Sequence, residues 1–82
     1  MKKVIEEKLQ QEFTPTFLEV INNSHLHQGH VGHDGSGNTH FAIKIKSEKL
    51  KNMSKVDAHR SINKLLAEEF KQGLHALEIK IS

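Results

Sequence analysis

The chain has 82 residues, of which 35% are hydrophobic and 27% are charged, a balance typical of one small globular domain spanning residues 1–82. Cysteine is absent, which excludes disulfides, a thiol nucleophile and a cluster held by this chain's own thiolates. No apolar run approaches the ~18 residues of a membrane-spanning helix, so we expect a cytoplasmic protein without a membrane role. The formal charge of +2 is too small to require an anionic partner, whereas seven histidines are many for this length.

The first two predicted elements are a helix and a strand. Residues 2–13 are amphipathic with a helical period, and Pro15 ends the helix because proline disfavours a helical conformation at the preceding residue. The apolar stripe of this helix comprises Val4, Ile5, Leu9 and Phe13. Residues 16–23 alternate with a period of two, which predicts a strand with Leu18 and Val20 on one face.

A long loop and a second strand follow. Residues 24–38 contain four glycines and almost no apolar side chain, which predicts a loop longer than a usual hairpin connection. Residues 40–46 place Phe41, Ile43 and Ile45 on one face and polar or small side chains on the other, the pattern of a half-buried strand. We therefore expect the two strands to be antiparallel neighbours.

The second half of the chain predicts two helices and a strand. Ser47 caps a single helical turn, and Ser54 begins the main helix, which ends at Gly73 in a left-handed conformation. The apolar stripe of the main helix comprises Ala58, Ile62, Leu65, Leu66 and Phe70. Residues 74–81 alternate again and place His75 in phase with Leu77, Ile79 and Ile81. The order αββααβ predicts an α+β two-layer sandwich, in which helices cover one face of a three-stranded mixed sheet.

Histidine is the side chain here that most readily binds a metal near neutral pH. The loop carries four of them at spacings of two, three and three, namely His25, His27, His30 and His33. One interpretation is that they bind a metal. The other is that they belong to a solvated loop that binds nothing, since histidine spacing without a thiolate or carboxylate is a weak metal signature. His75 is either a packed histidine at the edge of the core or a ligand held on a rigid strand.

Basic side chains outnumber acidic ones by seven to two between residues 44 and 64. Such a patch can contact nucleic-acid phosphates, although interleaved aromatic residues are missing from it. The candidate nucleic-acid-binding residues are Lys44, Lys46, Lys49, Lys51, Lys55, Arg60 and Lys64. Neither a nucleophile-elbow motif nor a phosphate-binding glycine loop occurs in the sequence, so we expect no enzymatic activity.

Short motifs in a fixed order connect the chain to a known family. They are Phe17-Leu18-Glu19-Val20, Asn23-Ser24, His27, Thr39-His40-Phe41, Ser47, His59-Arg60, Leu66-Ala67-Glu68-Glu69-Phe70 and His75-Ala76-Leu77. This ordered set covers nearly the whole chain and closely resembles the BolA-like family. The resemblance implies a BolA-like fold related to the type II KH domain.

The resemblance also implies a partner and a shared cofactor. Members of the family bind monothiol glutaredoxins in complexes that can bridge a [2Fe–2S] cluster, with the histidine of the His-Ala-Leu motif as one ligand. By position that ligand is His75, and the second, from the loop after the first strand, is His27. The loop looks longer than usual, so its other histidines are possible substitutes for His27, namely His25, His30 and His33. His59 and Arg60 are candidate partner contacts together with His75.

Three functions therefore stay open. The first is an adaptor that shares the cluster with a monothiol glutaredoxin, whose thiolate completes a site that this cysteine-free chain does not hold tightly by itself. The second is a KH-like DNA-binding transcriptional regulator of stress response and cell morphology, although the helix–helix junction has no KH-type glycine loop. The third is a metal-binding protein that acts through its histidine-rich loop alone. The sheet order is also open, as is weak homodimer formation through an exposed sheet edge.

Overall fold

The computed structural model of the protein describes residues 1–24 and 39–82. In chain order its elements are α1 (Lys2–Phe13), β1 (Phe17–Asn22), β2 (His40–Lys46), α2 (Glu48–Lys51), α3 (Lys55–Leu65), α4 (Ala67–Lys71) and β3 (Ala76–Ile81). Within the described ranges, none of the helices combines the length and apolar character needed to cross a membrane.

The strands form one mixed sheet in the order β1-β2-β3. β1 pairs with β2 in the antiparallel direction, and β2 pairs with β3 in the parallel direction across the helical connection. Ile43 at the centre of β2 lies between Val20 of β1 and Ile79 of β3. The prediction of an α+β sandwich with a three-stranded mixed sheet is confirmed.

One hydrophobic core lies between the sheet and the helices. Its buried residues are Ile5, Leu9, Phe13, Val20, Phe41, Ile43, Ile45, Leu50, Ala58, Ile62, Leu66 and Leu74. Because β1 and β2 bury alternate residues, the side chains between them point to the other side of the sheet. We call this side the outer sheet face, and its exposed members include Phe17, Glu19, Lys44 and Lys46.

Helix α1 buries a narrower stripe than the sequence predicts. Ile5, Leu9 and Phe13 are buried at a spacing of four, whereas Val4 is 43% exposed, which corrects its assignment to the core. Val4 lies one residue before Ile5, about 100° around the helix axis, and therefore beside the stripe. The helix ends at Thr14, which adopts a left-handed φ of 40° before Pro15.

Ser47 is the N-cap residue of α2, as the sequence predicts, but it does not cap the helix through its side chain. Ser47 does precede the helix, but its hydroxyl makes no capping hydrogen bond and donates instead to the Phe13 carbonyl at 2.7 Å. Lys49 Nζ donates to the neighbouring Glu12 carbonyl at 2.9 Å. The last carbonyls of a helix have no hydrogen-bond donors within the helix. Ser47 and Lys49 supply donors to two of these carbonyls and so join the end of α1 to α2.

The main helix is divided into α3 and α4 at Leu66, where φ is −97° and ψ is 17°. Its start is confirmed, since Ser54 Oγ accepts from the Asp57 amide at 3.1 Å. At this break Glu69 turns inward and is only 3% exposed, whereas Phe70 is 36% exposed. The prediction that Phe70 belongs to the buried apolar stripe is therefore wrong. An uninterrupted helical period would have placed Phe70, four residues after Leu66, over the core.

The connection into β3 departs from the predicted alternation. Gly73 has a φ of 125°, so the expected left-handed end of the helical region is confirmed. Leu74 is then buried, and the amides of His75 and Ala76 both donate to the Thr39 carbonyl, at 2.7 and 3.0 Å. Because one carbonyl accepts two consecutive amides, the alternation is interrupted there, and His75 is exposed rather than in phase with the core.

Candidate functional site

The two ends of the long loop meet at a buried serine. Ser24, which is 2% exposed, accepts hydrogen bonds from the Thr39 and His40 amides at 2.9 and 3.1 Å. The Asn23 amide donates to the His40 carbonyl at 2.8 Å, so β1 and β2 remain joined up to the last residue before the loop. The stem of the loop is therefore fixed to the start of β2.

His75 lies against the same stem. Its backbone amide donates to the carbonyl of Thr39, a residue that is fully buried beside Ser24. Its side chain is exposed, which overturns the interpretation of His75 as a packed histidine of the core. A ligand needs this combination of a fixed backbone and an accessible ring.

A second imidazole, which the sequence interpretation missed, faces His75. The ring centres of His40 and His75 are 5.7 Å apart and their planes are inclined by 54°. His40 Nδ1 also lies 2.8 Å from the Thr39 hydroxyl. The parallel pairing of β2 with β3 places His40 opposite Ala76, so only the sheet order could have revealed this neighbour. We call this pair the histidine corner.

The four loop histidines, His25, His27, His30 and His33, lie outside the described residues. Within residues 1–24 and 39–82, no three histidine, aspartate or glutamate side chains converge as metal ligands would. A complete site would therefore combine the histidine corner with the loop or with a partner.

The donor chemistry of the corner fits a [2Fe–2S] cluster that is shared with another protein. Imidazole replaces thiolate on one iron of such clusters when two histidines are present. The described residues supply one exposed imidazole, from His75, beside a second one, from His40. Any thiolate must come from a partner, because the chain has no cysteine.

The predicted basic residues do not form one surface. Lys44 and Lys46 lie on the outer sheet face, and Lys44 Nζ is 3.7 Å from a Glu19 carboxylate oxygen. The other five belong to the helical layer on the opposite side: Lys49, Lys51, Lys55, Arg60 and Lys64. Of these, Lys49 is bonded to the end of α1, and the remaining four are exposed.

A cleft of about 470 Å³ lies where α2, α3 and the end of β3 meet. Its apolar lining residues are Leu50, Met53, Ala58, Ile79 and Ile81, and its other lining residues are Lys51, Lys55, His59, Lys80 and Ser82. Among the described residues, three lysines and a histidine line it without a carboxylate side chain, so this basic cleft favours an anionic ligand. Lys80, which the sequence interpretation did not include, also lines the cleft at the end of β3, although its pairing with Lys44 places its side chain on the outer sheet face.

The candidate partner contacts lie at two separate places. His59 lines the basic cleft together with Ile79, whereas His75 is at the opposite end of β3. Four strand residues span about 13 Å, so one small ligand does not reach both histidines. Arg60, next to His59 on α3, is exposed. A protein partner that touches all three must cover most of the length of β3.

Comparison with known proteins connects these features to one family. A family model described as BolA-like protein matches residues 9–82. The DNA-binding transcriptional regulator BolA of Haemophilus influenzae is 40% identical over 81 residues, which cover 99% of this chain and 75% of that protein.

Two solved structures from Arabidopsis thaliana have the same fold. BolA1 superposes with a TM-score of 0.88 at 39% identity, over 100% of this chain and 89% of the other. The BolA domain of SufE1 superposes with a TM-score of 0.87 at 43% identity, over 99% of this chain and 88% of the other.

Proposed function

The chain belongs to the BolA-like protein family, and from this premise we propose that it is a non-enzymatic adaptor that binds a monothiol glutaredoxin. In that complex it would supply imidazole ligands to a bridging [2Fe–2S] cluster, in iron homeostasis or in cluster trafficking. The observation that carries the proposal is the exposed ring of His75 beside the stem of the histidine-rich loop. Similarity to the BolA domain of SufE1 is compatible with an iron–sulfur role.

In this proposal each side chain has a separate task. His75 supplies the first ligand from a backbone position fixed by Thr39. His27 supplies the second from the loop, with His25, His30 and His33 as substitutes, and Ser24 holds the stem from which they extend. A cluster bound there could accept an electron or pass to another protein, and the glutaredoxin would complete its thiolate ligands.

The proposal is tested by mixing the chain with a cluster-loaded monothiol glutaredoxin and recording visible absorption and circular dichroism. We expect the spectrum to change on complex formation, because imidazole replaces a sulfur or glutathione ligand on one iron. His75→Ala should abolish the change, and His27→Ala should weaken it.

The matched control is Asn63→Ala, which removes an exposed polar side chain of α3 outside the candidate partner contacts and should leave the spectral change intact. A wild-type mixture whose spectrum stays that of the glutaredoxin alone would refute the adaptor function. A His75→Ala mixture indistinguishable from wild type would refute the ligand assignment but leave the partner in place.

A second candidate function, binding of DNA as a transcriptional regulator, is favoured by the basic cleft. The relative from Haemophilus influenzae is named a DNA-binding transcriptional regulator. The cleft includes Met53 at the junction between α2 and α3, where a KH-like domain would contact nucleic acid, and Lys51 and Lys55 lie on either side of it. Phosphate contacts by lysine carry no sequence specificity by themselves.

An electrophoretic mobility assay over a range of salt concentrations tests this second function. Replacing Lys51 and Lys55 by alanine should weaken binding to all sequences and reduce the slope of log K against log salt by about 1 for each phosphate that the protein no longer neutralises. The double variant Lys44→Ala/Lys46→Ala, on the outer sheet face, is the matched control. An absence of binding at low salt would exclude this function.

A further inference from the structure

We propose that the basic cleft is a groove that binds an extended acidic segment of a protein partner as an additional strand on the open edge of β3. This interaction requires neither a cluster nor a glutaredoxin, so it goes beyond the adaptor function. It also differs from DNA binding, because the ligand would contact the backbone of β3 as well as the lysine side chains.

The cleft follows the edge of β3 and not one face of it. Ile79, Lys80 and Ile81, which line the cleft, are consecutive in the chain. Successive strand residues point to opposite faces of a sheet, so a cavity that touches all three lies along the backbone edge of the strand. In the sheet order β1-β2-β3, only β2 pairs with β3 among the described strands. The other edge of β3 is therefore open beside the cleft.

The hydrogen bonds of β3 show which backbone groups this open edge presents. The amides of Ala76 and Ser82 both donate, at 3.0 Å, to carbonyls of β2 and of the residue before it. In a parallel pair, every second residue directs its N–H and C=O groups to the same neighbouring strand. Ile79 and Ile81 lie at the alternate positions, so their N–H and C=O groups point to the open edge. An antiparallel strand placed there would exchange two hydrogen bonds with each of them.

The helical wall of the groove supplies both apolar and basic contacts. Lys55, Ala58 and His59 are spaced by three and four residues, which places them on one face of α3. Met53, at the junction of α2 and α3, lines the same cleft and is 37% exposed. The volume of about 470 Å³ lies within the usual range of ligand sites. The side chains of an added strand would therefore meet an apolar surface with cations beside it.

Charge and hydrogen-bonding capacity together select the occupant. Lys51, Lys55 and His59 line the groove, and no described aspartate or glutamate does, so an acidic segment is favoured. Nucleic-acid phosphates are acceptors and would leave the edge carbonyls of β3 without donors, whereas a peptide strand offers both donors and acceptors. A second copy of this chain, paired about a two-fold axis, would bring its own lysines towards the first set. An acidic strand of another protein satisfies both requirements.

Amide hydrogen exchange measured by NMR tests the proposal on the full-length chain. The probe is a short, end-blocked peptide of alternating glutamate and valine residues. We expect it to slow exchange at the amides of Ile79 and Ile81, which we call the edge amides, and to leave the amides of Ala76 and Ser82 unchanged. The same peptide N-methylated at every residue has no amide donor and should bind about tenfold more weakly, as measured by fluorescence anisotropy.

The double variant Lys51→Ala/Lys55→Ala should bind the unmethylated peptide about fivefold more weakly. The matched control, Lys2→Ala/Lys3→Ala, removes the same charge from exposed positions at the start of α1, outside the groove, and should bind like wild type.

Equal affinity for the N-methylated peptide, or edge amides that stay unprotected at saturating peptide, overturns the proposal. Protection of the edge amides that rises with protein concentration alone would show that a second copy occupies the edge, which also overturns it. Because neither cluster nor glutaredoxin is present, the result is independent of the adaptor function.

Discussion

Ser24 shows how one hydroxyl group holds a functional region together. Its oxygen accepts hydrogen bonds from the amides of Thr39 and His40. The Thr39 carbonyl in turn accepts from the His75 amide, and the Thr39 hydroxyl lies 2.8 Å from Nδ1 of the His40 ring. Ser24 is also the first residue of the histidine-rich loop, directly before His25. Its role is therefore to keep the loop stem and the histidine corner in one rigid unit.

We expect Ser24→Ala to lower the free energy of unfolding by about 2 kcal/mol, because the Thr39 amide then lacks its acceptor in a buried place. Urea denaturation measures the loss. Ser61→Ala is the control, since among the described residues that hydroxyl makes a 3.7 Å contact with Met53 Sδ in an exposed position, and its loss should change stability by less than about 0.5 kcal/mol. Equal stability of the two variants would contradict the role of Ser24.

Gly73 is the residue that lets the chain turn from α4 into β3. Its φ of 125° is accessible to glycine but costs other residues about 1–3 kcal/mol. We expect Gly73→Ala to be destabilised by that amount in thermal or urea unfolding. Gln72→Ala, at a neighbouring exposed position with a φ of −86°, should be nearly neutral. A neutral Gly73→Ala variant would show that the turn does not require this conformation.

At the scale of whole elements, polar contacts determine how α1 lies against the rest of the helical layer. Ser47 and Lys49 bind its last carbonyls, and Lys8 reaches Glu69 of α4 with Nζ–O distances of 2.8 and 3.0 Å. The Glu69 side chain is 4% exposed, whereas that of Lys8 is 31% exposed. The helix is thus anchored at its middle and at its end.

The unequal burial of this ion pair predicts unequal mutant effects. Lys8→Met leaves a buried carboxylate without its cation and should cost about 3–5 kcal/mol of unfolding free energy. Glu69→Gln should cost less, about 1–2 kcal/mol, because the ammonium group of Lys8 can turn to solvent and the amide still offers one acceptor.

Chemical denaturation checks that Lys8→Met is more destabilising than Glu69→Gln. The same measurement is made on the double variant Lys8→Met/Glu69→Leu. The double variant removes both charges and should recover part of the loss seen in Lys8→Met. If Glu69→Gln proved the more damaging single change, the account of the pair would be wrong.

At the scale of the whole molecule, one core connects both layers, and its centre is Ile43 on the middle strand. This residue is 1% exposed and is paired with Val20 and Ile79 on either side. An 82-residue domain without disulfides has no second core to compensate for damage there.

We expect Ile43→Ala to lower the unfolding free energy by about 3 kcal/mol, within the usual range for a buried isoleucine. The melting temperature should fall by about 4–8 °C for each kcal/mol of destabilisation. Val56→Ala, which truncates a β-branched residue that is 58% exposed, is the control and should stay within about 0.5 kcal/mol. Calorimetry that gave both variants the wild-type melting temperature would contradict a single shared core.

Much of the fold could be predicted because periodicity is a local property of the chain. The alternation of Phe41, Ile43 and Ile45 is sufficient to identify β2, and the boundaries of α1 follow from its stripe and from Pro15. Val4 and Phe70 were misassigned because periodicity places a residue on a face but does not show how a neighbouring element packs against that face.

The sequence by itself determined the order of elements, the lack of a thiolate and His75 as the candidate ligand. Only the tertiary structure decided that His40 lies beside His75, that Lys80 joins the basic cleft, and that Lys44 and Lys46 lie on the outer sheet face. The physical reason is that these relations depend on which strands pair across a long connection. Pairing is set by the packing of the whole core, and the residues that it brings together are far apart along the chain.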